Sequence, residues 1–322
     1  MHVDRLDTIR FLAASWVAVS HGALEIKPLA DSGLLKVLLG GVQGSFNGIA
    51  AVVVFFIVSG LCIHLPHSQY NQRPGFKFLI RRYLRVCIPL LVILAIAHFV
   101  GGSAEAWVGG VTWSIYVELF YYTIYPMLYY LAKRWGWLPQ IFISSAIAIV
   151  IVAFLPDQLF VRELGWLAAP WGLPIWLSGC LIADRFGRGQ FPRLYGSLAF
   201  WRLFAWSVSV LSVVLLFHSP VKVGAPTCML IFAPVAFAWL VKELTSARKV
   251  WPLPERWGAG SYSLYLVHAL VLGALFDSRI ALAPWVDLIL RPCAVIAATA
   301  AFYFLVEAPS HKLARMAKAL PF

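Results

Sequence analysis

Two ionisable side chains stand on the first apolar stretch of the chain at a spacing that suits chemistry. Arg10 and His21 have ten residues between them, and eleven helical steps of about 100° return to within about 20° of three full turns. On a helix they share a face. Their separation along the axis is roughly 16 Å, which puts Arg10 at one edge of an apolar layer and His21 near or above its middle. Asp7, three residues earlier, can pair with Arg10 on the first turn. An imidazole at that depth can act as a general base or as a nucleophile that carries a transferred group. The plainer alternative is a neutral His21 hydrogen-bonded to a neighbouring helix.

A second constellation lies in Val111 to Tyr125, VTWSIYVELFYYTIY, where Ser114, Glu118, Tyr122 and Tyr125 recur at i, i+4, i+8 and i+11. They form one polar stripe on an apolar helix. Glu118 sits about 10 Å below the outer surface, at a depth similar to that of His21. A lone carboxylate there needs a cation or imidazole from another helix, or it serves as a clamp between helices. The stretch FKFLIRRYLRVCIP, Phe76 to Pro89, packs Arg81, Arg82 and Arg85 into little more than a turn. Such a group can take phosphate oxygens bidentately, although anionic lipid would also bind there. Ser59-Gly60, in VFFIVSGL, reads as a nucleophile or, preferably, as small-residue helix packing. His64 and His67 straddle Pro66, where a helix break is expected, which argues against a metal pair. No HExxH, P-loop or GxSxG motif occurs, and the five cysteines have neither C-x-x-C spacing nor nearby His pairs, so neither a metal site nor a disulfide framework is expected.

Lipid is the solvent for the elements that must position these groups. Of the 322 residues 61% are hydrophobic and 12% charged, and the mean hydropathy is +0.81. The expected fold is an all-α integral membrane protein, a single multi-pass domain over residues 1–322. Ten spans are expected: Ile9 to Leu24, Gly48 to Leu65, Val86 to Gly101, Val111 to Ala132, Pro139 to Leu155, Ala168 to Ile182, Ala199 to Phe217, Pro226 to Val241, Tyr262 to Phe276 and Ile289 to Val306. Leu34 to Val42 is too short to cross. Asp4 and Asp7 spoil any signal-peptide reading of the N-terminus, so the first span is expected to stay. Of the 26 Lys and Arg residues, all but Lys27, Lys36, Arg162, Lys222, Arg279 and Arg291 fall on one side of the ten-span scheme. That asymmetry predicts cytoplasmic N- and C-termini, and it accounts for the net charge of +12 without nucleic acid.

Six segments in order, LDTIRFLA running to His21, FFIVSGL, RRYLRVCIP, TWSIYVELFYY, GSYSLYLVH (Gly260 to His268) and YFLVEAP (Tyr303 to Pro309), together resemble the membrane acyltransferase-3 family. Leu61 stands where many relatives have Phe. The resemblance covers nearly the whole chain and implies acyl transfer, commonly of acetyl, from acyl-CoA to a hydroxyl of an extracytoplasmic glycan or glycolipid of the bacterial envelope, at the inner (plasma) membrane. It implies that Arg10 and His21 are essential, that Arg82 and Arg85 form the family's Arg-x-x-Arg feature, and that Glu118 belongs to the catalytic neighbourhood. Asp7, Ser59, Trp113, Ser114, Tyr122, Ser261, Tyr262, His268 and Glu307 are further candidates. No esterase-like domain is appended, so a stand-alone transferase is expected.

On this reading Arg81, Arg82 and Arg85 hold the donor's phosphates at the cytoplasmic side, and His21 is general base or transient acyl carrier. Glu118 orients the imidazole and Arg10 fixes the donor or neutralises developing charge. A proton-coupled transporter is the rival, since intramembrane His and Glu suit one too, although no inverted repeat is evident. A non-catalytic scaffold would need neither the Arg10 and His21 alignment nor the stripe.

Overall fold

The computed structural model describes residues 5–26, 33–70, 73–191, 194–219, 223–246, 252–278 and 283–317. Asp4 and, of the cations used for orientation, Lys27, Arg193, Lys222, Arg248, Lys249, Arg279 and Lys318 lie outside them. The described residues contain helix and no strand, as a lipid solvent demands, because a helix satisfies every backbone N–H and C=O within itself. In chain order the helices are α1 Leu6–Ser20, α2 Gly33–Gly44, α3 Gly48–Tyr70, α4 Phe76–Val100, α5 Gly102–Trp135, α6 Trp137–Phe154, α7 Ala168–Gly187, α8 Leu198–His218, α9 Ala225–Thr245, α10 Pro252–Trp257, α11 Ser261–Asp277, α12 Pro284–Phe302 and α13 Ala308–Met316. A five-residue π-helix, Tyr303–Glu307, joins α12 to α13.

Every expected span overlaps a helix, although α1 ends at Ser20 and leaves His21 to Leu24 of the first expected span in the turn beyond it, and the chain is an all-α membrane bundle. Among the described residues eight helical stretches are long and apolar enough to cross a membrane. The other two expected spans are α1 and α5. The first has only 15 residues, about 22 Å of helix against a hydrocarbon layer of about 30 Å. The second has 34 residues and carries Glu105, Glu118, Lys133 and Arg134. The two helices that bear Arg10 and Glu118 are thus the two that hydropathy marks least well. Helix α2, at 12 residues, is as short as expected.

Two local expectations change. Helix α3 runs through Pro66 without a break. Prolines also lie inside α4, α5, α7, α9 and α12, which is tolerated in membrane helices where neighbouring groups satisfy the freed carbonyl. Helix α4 begins at Phe76, ten residues before the expected span, so Arg81, Arg82 and Arg85 stand on a helix at i, i+1 and i+4 rather than in a loop.

The helices group into two compact units whose segments alternate along the chain. The first unit comprises residues 1–6, 49–75 and 116–251. In it α6 packs on α7, α8 on α9, and α9 on α7, around the fully buried Trp171, Trp176, Tyr121 and Ile57. Helices α3 and α7 touch backbone to backbone. A Cβ at Gly60 would overlap the Trp176 carbonyl, and one at Gly179 the Ile57 carbonyl. Gly60 is therefore the small-residue contact expected of VFFIVSGL.

The second unit comprises residues 7–48, 76–115 and 252–322. Its helix α11 packs on α12 and α4, and α13 packs on α4. The N-terminal part of α5 joins it, with Gly273 of α11 against the Ala104 backbone. Phe142, Phe154, Leu203, Ile296 and Phe304 are among many large apolar side chains left exposed, the surface a bilayer covers.

Candidate active site

Helix α11 is the hub of the second unit, and its polar side chains explain GSYSLYLVH residue by residue. Tyr262 donates to the Val86 carbonyl of α4 at 3.0 Å. Ser263 turns both its backbone N–H, at 3.0 Å, and its hydroxyl to Glu307. The Tyr265 hydroxyl lies 2.8 Å from Ser114 and donates to the Val111 carbonyl of α5 at 2.9 Å. Ser261 opens the helix, buried, with a hydroxyl that finds no hydrogen-bond partner among the described residues.

His268, one turn beyond Leu264, is fully buried. Its Nδ1 lies 3.1 Å from the Leu264 carbonyl and its Nε2 lies 3.0 Å from Nδ1 of His21. The rings are nearly parallel, with centroids 5.2 Å apart and an interplanar angle of 10°. A carbonyl accepts only, so Nδ1 of His268 carries the proton and Nε2 presents its lone pair. His21 must then donate from Nδ1. Its own unprotonated nitrogen is Nε2, on a side chain exposed at the end of α1, with the Trp107 ring edge-on at 6.3 Å. The group at Nδ1 of His21 is thus the imidazole of His268.

Arg10 pairs with Asp7 at 3.4 Å, one turn earlier on α1. A compact basic group surrounds the π-helix. Arg85 donates from Nε to Nε2 of His311 at 2.9 Å, and the same nitrogen lies 3.5 Å from Oε1 of the buried Glu307. The charges of Arg85, Arg10, Arg315 and Arg82 all bear on His311, and those of Arg10 and Arg85 on Glu307. The six-segment pattern did not include His311. Its only signal was the i, i+4 step from Glu307. Arg82 lies over the Phe78 ring at 5.7 Å, and Arg81 donates to the Lys77 carbonyl at 3.3 Å. Trp113 is half-buried on α5.

Glu118 belongs to the first unit. It accepts hydrogen bonds from Ser59 of α3 and from Tyr122 one turn along α5, and Trp176 of α7 donates to Ser59 at 3.1 Å. Tyr125 reaches His64 of α3 at 2.9 Å. Each member of the α5 stripe is therefore used. Ser114 meets Tyr265, Glu118 and Tyr122 meet Ser59, and Tyr125 meets His64. Among the described residues no group of three His, Cys, Asp or Glu side chains could hold a metal ion.

The second unit thus holds an exposed imidazole oriented by His268 and, about Glu307 and His311, a separate group of arginines. The model of the acyltransferase-3 family, described as an acyltransferase domain, matches residues 3–307, and the chain belongs to that family. It is a membrane acyltransferase. No curated protein and no solved structure matches it.

Proposed function

We propose that this chain transfers an acyl group, acetyl in the first instance, from cytoplasmic acyl-CoA to a hydroxyl of an extracytoplasmic glycan or glycolipid, with His21 as general base. The observation that carries the reading is the 3.0 Å bond from Nδ1 of His21 to Nε2 of His268. It fixes the tautomer in which Nε2 of His21 has its lone pair. That nitrogen takes the proton from the acceptor hydroxyl as the oxygen attacks the thioester carbonyl carbon. The carbon–sulfur bond then breaks, and the departing CoA sulfur takes the proton back from His21. The products are an ester and free CoA. His268 acts as the positioning residue, in the place a carboxylate fills in hydrolase triads.

Arg82 and Arg85, with Arg81 beside them, receive the donor's phosphates. Arg10 supports this assignment, since its charge bears on the same His311 and Glu307 that Arg85 adjoins. From Arg10 to His21 is roughly 16 Å along α1, a span suited to an extended pantetheine arm. The positive-inside bias puts the arginines at the cytoplasmic face. Glu118 holds α3 to α5 in its own unit, and Ser59 extends the tie to α7.

Purified protein given acetyl-CoA and candidate glycan acceptors should release free CoA thiol and form an acyl ester. His21→Ala should lower that rate by about 10²- to 10⁴-fold while the protein still inserts and stays folded. Full activity in a well-expressed His21→Ala protein removes His21 from the chemistry. Surface-glycan acyl groups measured by NMR in a deletion strain, complemented with wild-type or His21→Ala protein, identify the acceptor.

A further inference from the structure

A cavity of about 530 Å3 belongs wholly to the first unit, between the C-terminal turns of α3, α5 and α7 and the start of α6. Volumes of this order hold small ligands or headgroups. Lys133, Arg185 and Arg188 line it together with Asp184, His64 and Trp137. Cations and tryptophans at helix ends are what a membrane interface supplies in any case, so the rim alone does not define a site. The interior wall does.

His64 is only 3% exposed, and its Nδ1 lies 2.9 Å from the Tyr125 hydroxyl. Its Nε2 is buried and has no hydrogen-bond partner among the described residues. Oδ1 of Asp184 is 3.9 Å away, beyond hydrogen-bond reach, and is engaged by Arg188 at 3.1 Å. Buried ring nitrogens are rarely left unsatisfied. The direction of the bond to Tyr125 follows the tautomer; in the form with the proton on Nε2, Tyr125 donates to Nδ1 and Nε2 offers a donor to an oxygen held in the cavity. Trp137 packs edge-on against the same ring, with centroids 4.6 Å apart, and gives the wall an apolar side.

We propose that this cavity binds a phosphate ester, with Arg185, Arg188 and Lys133 taking the phosphate oxygens and Nε2 of His64 donating to a ligand oxygen. Arg185 stands in the last turn of α7 and Arg188 caps its C-terminus three residues on, so their planar forks can serve one phosphate group together. The same chemistry is offered by a phospholipid headgroup and by a soluble nucleotide phosphate.

The full-length protein in detergent, analysed by native mass spectrometry, distinguishes these sources with three probes. They are phosphatidylglycerol, diacylglycerol as its phosphate-free counterpart, and adenosine 3′,5′-bisphosphate. Retention of phosphatidylglycerol over diacylglycerol supports the site with a lipid occupant; adenosine bisphosphate also suits the donor arginines of α4, so its binding supports the cavity only to the extent that substitution of Arg185 and Arg188 weakens it. In either case the Arg185→Gln, Arg188→Gln double variant should bind about tenfold more weakly. His64→Phe should weaken binding too, and His64→Gln, which keeps a donor, should restore it. Those two variants separate the cavity from general attraction to a basic surface. Wild-type protein that holds phosphatidylglycerol no better than diacylglycerol and binds no adenosine bisphosphate overturns the proposal without recourse to any variant. Binding that the arginine and His64 variants leave unchanged overturns it as well. Acyl transfer by His21 stands or falls independently of these outcomes.

Discussion

Nδ1 of His21 and Nε2 of His268 lie 3.0 Å apart, and the Leu264 carbonyl behind His268 sets the direction in which that hydrogen bond runs. A carbonyl two hydrogen bonds removed from His21 therefore decides which of its nitrogens can accept a proton.

If that orientation matters, His268→Ala should lower kcat by about 10²- to 10³-fold, less than the roughly 10⁴-fold seen when a triad carboxylate is lost, because no charge is removed. The KM for acyl-CoA should stay within a few-fold. His268→Gln, whose side-chain oxygen can accept from His21, should recover much of the loss. A kcat unchanged in His268→Ala would show that the pair is only a packing contact.

Arg85 differs from an ordinary flanking cation because its Nε already holds His311 at 2.9 Å. Replacing it and Arg82 by Ala should raise the KM for acyl-CoA about tenfold or more while the KM for the acceptor moves little. Arg85→Lys should not rescue, since an ammonium lacks the planar fork. An unchanged donor KM would take both arginines out of the donor site.

Glu118 receives the hydroxyls of Ser59 and Tyr122, so Glu118→Ala should cost about 1–3 kcal/mol of stability, read as a lower midpoint in thermal or denaturant unfolding in detergent. Glu118→Gln keeps an accepting oxygen and should cost less. A Gln variant as stable as the wild type but inactive would return the carboxylate to the chemistry.

Gly179 faces the Ile57 carbonyl so closely that a methyl group cannot be accommodated without moving α3 from α7. Gly179→Ala should destabilise the protein by about 1–3 kcal/mol, whereas Gly109→Ala, where a Cβ meets open space, should be nearly neutral. Equal melting of the two variants would remove the backbone contact from the account of packing.

Much of this protein is readable along the chain because a bilayer imposes rules that act locally. Apolar length marks a span, and helix is the one element whose backbone satisfies itself in lipid, so the ten expected spans all overlap helices. The same rules explain the errors. Pro66 stays within α3 because freed carbonyls can be satisfied by neighbours that a linear reading does not see. The arginines join α4 because an amphipathic turn continues beyond the apolar run.

Residue types and the 3.6-residue period by themselves set Arg10 on α1, with His21 one residue past its end and still bonded to the Val17 carbonyl, and Ser114, Glu118, Tyr122 and Tyr125 on one face of α5. Which partner each side chain meets is a property of helices brought together from distant parts of the chain, and only the tertiary structure decides it. Periodicity specifies the direction in which a group points, not what stands opposite. His268 meets His21 across 247 positions and His311 meets Arg85 across 226, distances over which no local pattern carries information. The orientation of the His21 imidazole is therefore settled by packing of α11, not by α1.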